Sequence, residues 1–330
     1  MAEPEHLEAS KGGVAPDTLL HFSLQVDCES TQHALRNPAL GERAIRGLGG
    51  LLVESGTRGT FFVIPGDLEA HAGVYRELES AGHEIGLHIH PAEAGFGEFL
   101  GTQGPDTQRE ILTGAIDRFA QAMGRRPQSF CPGYFSANDF TFGLLEELGF
   151  THGAVSCPTR NLPACASVWS GSSLDPRYPH RYNRVLDGDV DFVDLPVTID
   201  PDSRLWGGAH PLDLRVELVD AKNHWYTIDK SVRRQLGSGV PVKQIHALTH
   251  NTFDYGDPAN FRRETYRGIV DAVRQVAERE RLTFRAATLA EIAAAYRRAV
   301  PRRPGAPPDL QLDTRGREFA REKTRGAREK

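Results

Sequence analysis

Acidic and histidine side chains recur in this sequence two residues apart, at the ends of apolar segments. Asp27 and Glu29 follow one such segment, and His88 and His90 close another. Residues two apart in an extended strand point to the same face, so each pair can present both side chains together. Carboxylate and imidazole groups are ligands of catalytic zinc, which keeps open positions for water and substrate. The pattern predicts one divalent metal ion, with zinc as first choice and cobalt, nickel or iron as alternatives.

A third histidine, His250, follows another apolar segment and lies within residues 247–251. Histidine titrates near neutral pH and can therefore protonate a leaving amine. Each pattern alone has an ordinary alternative, because acids also cap helices or form surface salt bridges and histidines also fill cores. Three strand ends that carry acids, a histidine pair and a histidine in one chain are hard to obtain by accident.

The elements that must position these residues alternate between strand-like and helix-like segments. Strands are predicted at 19–26, 59–64, 83–90, 129–131, 151–155, 190–195, 242–249 and 283–286. Helices are predicted at 41–55, 68–81, 107–123, 140–148, 261–280 and 289–298, and part of 212–235 is predicted helical. Such alternation indicates an α/β fold with a parallel sheet, and about seven repeats fit a closed or nearly closed β/α barrel. Strand carboxyl ends form the reaction face of such barrels. The long loop at 156–189 is predicted to be a substrate-binding insertion.

Length and composition predict one domain. The chain has 330 residues, 39% of them hydrophobic, which is enough for a large core over residues 17–300. The ends, 1–16 and 301–330, are polar or densely charged and are predicted to be flexible. A net charge of -5 argues against a nucleic-acid partner. No apolar run suits a membrane span and no signal peptide is recognised, so a cytoplasmic location is expected. The four cysteines form no CxxC pair, which argues against a thiolate zinc site.

Six sequence motifs occur in a specific order across residues 19–290: VDCES, GTFFV, GHEIGLHIHP, PQSFCPGYFSAN, VDFVDLPV and LTHNTFD. In these motifs the chain resembles the polysaccharide deacetylase superfamily, also called the NodB-homology or carbohydrate esterase family four superfamily. The resemblance implies a distorted (β/α)7-type barrel. It also implies a hydrolase that uses zinc or another divalent ion to remove acetyl or formyl groups from sugars.

Carried over residue by residue, the resemblance implies roles for the singled-out side chains. Asp27 matches the general base and Glu29 the acidic metal ligand, although the longer spacing leaves these two roles exchangeable and keeps Asp27 a candidate ligand. His88 matches the first metal histidine. His250 matches the general acid.

The chain departs from the family pattern at two further points. The second metal histidine usually lies four residues after the first, where this chain has Ala92, so His90 is the substitute. Cys131 stands where the family has an arginine that orients the catalytic acid. These departures indicate a divergent branch with an unusual small substrate.

The expected function is metal-dependent removal of an N-acyl group, acetyl or formyl, from an amino sugar or a sugar-containing metabolite. Alternatives are a hydrolase of cyclic amides from the same superfamily and a catalytically inactive sugar-binding barrel. Predicted substrate contacts are Cys131, Gly133, Tyr134 and Asn251. Candidate sugar-stacking walls are Trp206, Trp225, Tyr226 and Tyr255. Nothing in the sequence specifies an oligomeric state.

Overall fold

A curled parallel sheet forms the centre of the molecule, in a computed structural model that describes residues 18–32 and 35–305. The strands are β1 Leu19–Cys28, β2 Gly59–Val63, β3 Glu84–Ile89, β4 Ser129–Pro132, β5 His152–Gly153, β6 Asn161–Leu162, β7 Ser167–Val168, β8 Pro179–His180, β9 Asn183–Asp187, β10 Val193–Asp194, β11 Ile199–Leu205, β12 His210–Asp213, β13 Lys243–His250 and β14 Thr283–Ala286. The helices are α1 Pro38–Glu54, α2 Pro65–Ser80, α3 Pro105–Met123, α4 Thr141–Glu147, α5 Ala221–Gly237, α6 Phe261–Arg279 and α7 Leu289–Ala299.

The order of the central sheet is β10-β5-β4-β3-β2-β1-β13, and β14 pairs with the first half of β1. All of these pairings are parallel. Parallel neighbours require crossover connections, and the helices supply most of them. The α/β fold of the distorted (β/α)7-barrel type is therefore confirmed.

The barrel is completed beyond β13 by irregular chain. The Thr198 N–H donates to the His246 carbonyl (3.0 Å), and the Val216 N–H donates to the Leu248 carbonyl (2.9 Å). The Gln244 side-chain amide donates to the Pro196 carbonyl at 3.1 Å. The edge of β13 is thus covered by the segments that follow β10 and β12, which brings residues 214–217 beside the end of β13.

Alternation along the strands separates two layers of side chains. Leu20, Phe22, Leu24 and Val26 of β1 belong to the large hydrophobic cluster that includes residues of α1 and α6. The intervening residues, including Gln25 and Asp27, face the barrel interior, as the hydrogen bond from Gln25 on β1 to Cys131 on the distant β4 demonstrates. The barrel therefore carries polar groups inside, and the last of them on each strand reach its open end.

Four of the helices, α1, α5, α6 and α7, begin at a residue whose side chain caps them. Asn37 accepts the Leu40 N–H at the start of α1, and Thr288 with Glu291 forms a capping box at the start of α7. Such caps satisfy backbone N–H groups that have no partner within the helix.

The predicted elements differ from the structure mainly after residue 155. α5 begins at Ala221, and the first part of the predicted helical segment instead includes β12. The loop at 156–189 contains two short antiparallel pairs, β6 with β7 and β8 with β9. These pieces carry no clear hydrophobic period, because strands of two to five residues bury too little surface to impose one.

Three further predictions concern the ends of the chain and its cysteines. The predicted flexible ends lie outside the described residues, apart from 301–305. Within the described part, no helix is long and apolar enough to cross a membrane. Cys28, Cys131, Cys157 and Cys165 are all free thiols.

The Glu84 carboxylate, at the start of β3, stabilises the barrel interior through its hydrogen bonds. Its carboxylate accepts hydrogen bonds from His152 (2.6 Å), Thr60 (2.9 Å) and the Ala290 N–H (2.8 Å). Burial raises the pKa of Glu84, but the charge and hydrogen bond of His152 outweigh burial and lower it to about 2. A carboxyl whose pKa is lowered on folding stabilises the protein above its unfolded pKa, near 4.5, and loses that effect as the pH falls toward 2.

Glu84→Gln should therefore lower the free energy of unfolding by about 3 kcal/mol at pH 7, with a difference that shrinks below pH 4.5. Urea unfolding of both proteins at pH 7 and at pH 3.5 measures this. Glu147→Gln, which removes an exposed ion pair with Arg109, is the control and should leave the free energy of unfolding close to that of wild type. A Glu84→Gln effect independent of pH contradicts the assignment.

Candidate active site

Asp27 and His250 face each other because β1 and β13 are paired in register at these two residues. The His250 Nε2 lies 4.0 Å from the Asp27 Oδ2. The other carboxylate oxygen of Asp27 accepts a hydrogen bond from the Gln25 amide at 2.6 Å. Gln25 lies two residues before Asp27 on the same strand face, so β1 itself orients its terminal acid.

His250 is held from behind by Glu217. The His250 Nδ1 lies 2.5 Å from the Glu217 Oε1, and the Thr249 hydroxyl donates to the other oxygen of Glu217 at 2.9 Å. Burial lowers the pKa of His250, but the charge and hydrogen bond of Glu217 raise it to about 9. The Nδ1 contact leaves Nε2 directed toward Asp27.

Glu29, His88 and His90 converge from the ends of β1 and β3. The Glu29 Oε2 lies 2.8 Å from the His90 Nε2 and 3.6 Å from the His88 Nε2. Glu29 follows the last residue of β1, and the glutamate chain is long enough to reach the two imidazoles. The acid pair therefore divides, since Asp27 turns to His250 and Glu29 turns to the histidine pair.

The two imidazoles are oriented by partners on their far nitrogens. The His88 Nδ1 lies 2.8 Å from the Cys131 carbonyl oxygen. The His90 Nδ1 lies 2.8 Å from the Glu98 Oε1 and 2.8 Å from the Gln32 amide nitrogen. Such outer contacts fix the ring orientation of metal-binding histidines and raise their basicity. Both Nε2 atoms are thus left for the Glu29 side of the site.

The backbone of Glu29 is fixed by a buried polar network. Its N–H donates to the Asn251 side-chain oxygen at 2.8 Å, and the Asn251 amide donates to Asp67 at 2.7 Å. Asp67, at the start of α2, also accepts the backbone N–H groups of Ser30 (3.0 Å) and Thr31 (2.6 Å). The buried Asn251 side chain therefore positions Glu29. These hydrogen bonds are to the protein itself, whereas the sequence predicted a contact with substrate.

Strong mutual electrostatics follow from this packing. Burial raises the pKa of Glu29, but hydrogen bonds from His88 and His90 hold it well below its usual range. Burial lowers the pKa of His90, but hydrogen bonds and charge from Glu29 and Glu98 raise it to about 9. Without a cation the glutamate and His90 form an ion pair, so a bound metal ion has to displace a proton.

The donor set fits a divalent metal ion. The ligand atoms of Glu29, His88 and His90 all lie within 4.8 Å of one another. Ligands of a tetrahedral zinc with bonds of about 2.1 Å lie about 3.4 Å apart, and the two measured separations bracket that value. A second group, Asp27 with His88 and Cys131, also meets the distance criterion. The first group is the better candidate because all three of its residues line the same cavity, whereas Cys131 does not.

That cavity has a volume of about 410 Å³. Its lining residues are Asp27, Glu29, His88, His90, Pro132, Tyr134, Phe135, Arg160, Leu162, Cys165, Arg215 and His250. The loop predicted as a substrate-binding insertion supplies three of them, Arg160, Leu162 and Cys165. A larger cavity of about 600 Å³ lies at the opposite end of β1, around Leu19 and His21, and contains none of these acids.

The predicted substrate contacts occupy different places. Tyr134 lines the cavity, is 44% exposed, and packs its ring edge-on against His90 with centroids 5.4 Å apart. Cys131 and Gly133 are buried behind the lining. Tyr134 and Phe135 both have left-handed backbone conformations, with φ of 59° and 53°. This turn after β4 places the tyrosine ring over the histidine pair.

Three of the four candidate sugar-stacking aromatics, Trp225, Tyr226 and Tyr255, do not line this cavity. Tyr255 is fully buried and its hydroxyl bonds Thr249 at 2.6 Å. Trp225 and Tyr226 line a separate surface cavity beside α5 and α6. The side chain of Trp206 lies outside the described part of the structure.

Gly133 makes room for His90. A Cβ atom on Gly133 would lie 2.6 Å from the His90 Cε1 and 2.7 Å from its Nε2, so the ring would have to move. We expect Gly133→Ala to lower zinc affinity about 10- to 100-fold, the size of effect seen when ligand orientation is disturbed. Competition against a chromophoric chelator measures this. Gly114→Ala, in the exposed face of α3 with no atom within 4 Å, is the control. Equal zinc affinity in Gly133→Ala and wild type contradicts the expectation.

Sequence reasoning missed several residues of the site. Gln25 had a usable signal, because a polar residue two positions before Asp27 shares its strand face. Glu98, Arg160, Arg215 and Glu217 lie in irregular segments, where no period indicates which way a side chain points. Their contributions depend on the closure of the barrel.

Comparison with known proteins agrees with this fold. Residues 45–153 match the family model of polysaccharide deacetylases. Searching the curated proteins finds no match to the chain. Among solved structures, a provisionally identified polysaccharide deacetylase from Mycobacterium smegmatis is 20% identical, covers 92% of this chain and 99% of its own, and has a TM-score of 0.57.

Two other solved structures have similar overlap. A provisionally identified polysaccharide deacetylase from Pseudomonas aeruginosa PAO1 is 14% identical, with coverage of 89% of this chain and 97% of its own and a TM-score of 0.57. PuuE allantoinase is 13% identical, with coverage of 92% of this chain and 100% of its own and a TM-score of 0.56. At such identities the likeness establishes the shared fold.

Proposed function

We propose that the chain is a divergent member of the polysaccharide deacetylase superfamily and a metal-dependent hydrolase that removes an acetyl or formyl group from the nitrogen of an amino sugar or a sugar-containing metabolite. One observation carries the proposal. A three-residue donor set, Glu29 with His88 and His90, lines the same cavity as an acid, Asp27, that faces a histidine.

Glu29, His88 and His90 would hold the divalent ion. When bound there, the ion supplies Lewis-acid polarisation of the acyl carbonyl and lowers the pKa of water. Zinc suits two imidazoles and one carboxylate, and cobalt, nickel or iron suit them as well.

Asp27 is assigned as the general base. Its carboxylate lines the cavity, and the hydrogen bond from Gln25 holds one oxygen and leaves the other toward His250. In this role Asp27 accepts a proton from the attacking water. Because Glu29 is directed to the histidine pair, the proposal gives the two acids different roles, Glu29 as metal ligand and Asp27 as general base.

His250 is assigned as the general acid. Glu217 and the cavity lie on opposite sides of its ring, so Nε2 can deliver a proton to the departing nitrogen. The backbone N–H of Tyr134, in the left-handed turn at the cavity wall, is the candidate donor to the oxyanion. The apolar wall formed by Pro132, Phe135 and Leu162 limits water around these groups.

The test joins metal analysis to product analysis. Purified protein is measured for bound metal, stripped with a chelator, and reconstituted with zinc or cobalt. Mass spectrometry then follows loss of acetyl or formyl from a panel of N-acylated amino sugars. We expect about one divalent ion per chain and activity that returns with the ion. Protein that neither holds an ion nor gains activity from added zinc or cobalt contradicts the proposal.

Opening of a cyclic amide is the second candidate, because PuuE allantoinase has the same fold over its whole length. Hydantoin-type rings are therefore included in the same panel. Ring opening without sugar deacylation would replace the leading function by this one. Sugar binding without any turnover would indicate an inactive binding barrel.

A further inference from the structure

Arg160 is a buried cation without a carboxylate partner. Arg160 is 4% exposed, and it forms no ion pair with the residues that the structure describes. One guanidinium nitrogen donates to the Tyr134 carbonyl at 2.9 Å, while Nε is buried and has no hydrogen-bond partner. Burying an unpaired charge costs several kcal/mol, so such a group calls for a ligand that completes it.

Arg215 brings a second guanidinium to the same cavity from another part of the fold. It lies in the segment that pairs with β13 at Leu248, and one of its nitrogens is 3.3 Å from an Asp213 oxygen. Its Nε is also buried without a partner. Both arginines line the cavity that contains Glu29 and His250. Two guanidinium groups therefore lie beside the proposed reaction centre, where a neutral sugar would leave Arg160 without an ionic partner.

The wall around Arg160 favours a charged ligand group. The guanidinium carbon lies 5.8 Å from the centre of the Phe135 ring, and Leu162 and Cys165 line the same region. Burial is the chief cause that lowers the pKa of Arg160; the charge of Arg215 acts in the same direction, while Cys157 and Asp213 act against it. Arginine keeps its proton at any physiological pH, and weakly polar surroundings strengthen its pairing with an oxyanion.

We propose that the substrate carries an anionic group, a carboxylate or a phosphate, and that Arg160 binds this group with Arg215 as the second cation. The inference rests on the proposed function for the position of the acyl group, and it adds the substrate class. A guanidinium offers a planar fork of N–H donors that matches carboxylate and phosphate oxygens. An acylated amino sugar with an acidic substituent, or an acylated sugar phosphate, fits this description.

A purely structural role for Arg160 makes a different prediction. Its contact with the Tyr134 carbonyl supports the left-handed turn at Tyr134 and Phe135, and this uses only one of its five N–H groups. Loss of that support would weaken the binding of every substrate alike. Loss of an anion contact would weaken the binding of the charged substrates only. The ratio between charged and neutral probes therefore separates the two roles.

The experiment is calorimetric titration of the whole chain with four probes: N-acetylglucosamine, N-acetylmuramic acid, N-acetylglucosamine 6-phosphate and inorganic phosphate. We expect wild type to bind at least one class of anionic sugar about 10- to 100-fold more tightly than the neutral sugar, the value of a charge-assisted hydrogen bond. Arg160→Gln should abolish that ratio, and Arg160→Lys should keep part of it. The carboxylate and phosphate probes show which anion is preferred.

Arg204→Gln is the matched control. Arg204 is exposed, donates to Thr159 beside Arg160, and does not line the cavity. The Arg204→Gln substitution removes the same charge from the chain and should leave the ratio of anionic to neutral sugar affinity unchanged. Equal binding of neutral and anionic sugars by wild type overturns the inference, even if the Arg160 variants fail to fold. The inference is also overturned if wild type binds none of the anionic probes, or if Arg160→Gln weakens the binding of all probes equally.

Hydrolysis of the three sugars is followed in parallel, because binding and turnover fail separately. Anion-dependent binding without turnover of any acylated sugar supports the anion site and contradicts the proposed deacylation. Turnover of neutral and anionic sugars at equal kcat/KM supports deacylation and contradicts the anion site.

Discussion

Glu29→Gln should strip the divalent ion from the protein and abolish turnover. The glutamate supplies the only carboxylate of the set that it forms with His88 and His90, and an amide oxygen carries no charge to balance the cation. We expect zinc affinity to fall by more than about 100-fold, since changes to outer partners alone cost about 10- to 100-fold. Metal content after dialysis and competition with a chromophoric chelator give the affinity without any assay of activity.

Two further variants frame this result. Glu98→Gln changes the outer partner of His90 and should reduce affinity about 10- to 100-fold, between wild type and Glu29→Gln. Glu42→Gln, in an exposed pair with Arg46, should match wild type. If Glu29→Gln keeps its metal while Asp27→Asn loses it, the two acids have the opposite roles.

Asp27→Asn should keep the metal and lose the reaction. Asparagine keeps the shape of the side chain and can still accept from Gln25, but it cannot take up a proton at neutral pH. General bases contribute about 10²- to 10⁴-fold, so kcat/KM should fall within that range. Zinc content should stay at the wild-type value, and the melting temperature should change little.

The control for Asp27 is Asp254→Asn, which removes a carboxylate paired with Arg43 at the surface. Its kcat/KM should equal that of wild type. An Asp27→Asn variant with undiminished turnover would remove this residue from the mechanism. It would leave His250 and Glu217 as the proton-transfer groups to examine.

Sequence reasoning reached the parts of the site that end regular strands. β1, β3 and β13 each show an apolar run followed by polar residues, and parallel pairing brings their ends together. It left open which acid faces the histidine pair, because that depends on the turn after Cys28. In the structure Asn251 and Asp67 fix that turn, and neither belongs to a local pattern with Glu29.

The remaining site residues were beyond local reasoning for a different reason. Glu217 and Arg215 follow β12 and reach the site only because residues 214–216 pair with the edge of β13. Arg160 comes from a loop whose short strands bury little. Such positions are set by the completed barrel, so composition and spacing predict that the loop matters without predicting which side chain enters the cavity.

The pairing of β1 with β13 and β14 has a consequence for how the protein is synthesised and folds. β1 leaves the ribosome first, yet its partners Lys243–His250 and Thr283–Ala286 are synthesised more than two hundred residues later. A nascent chain can form the pairs among β1, β2, β3 and β4 early, but Asn251, which fixes the turn of Glu29, follows only with β13. Long-range closure is slow, and exposed strand edges attract other chains in the meantime. Both the turn that directs Glu29 to the histidine pair and the pair of Asp27 with His250 are therefore completed only when β13 joins the sheet, so the candidate site forms late in synthesis.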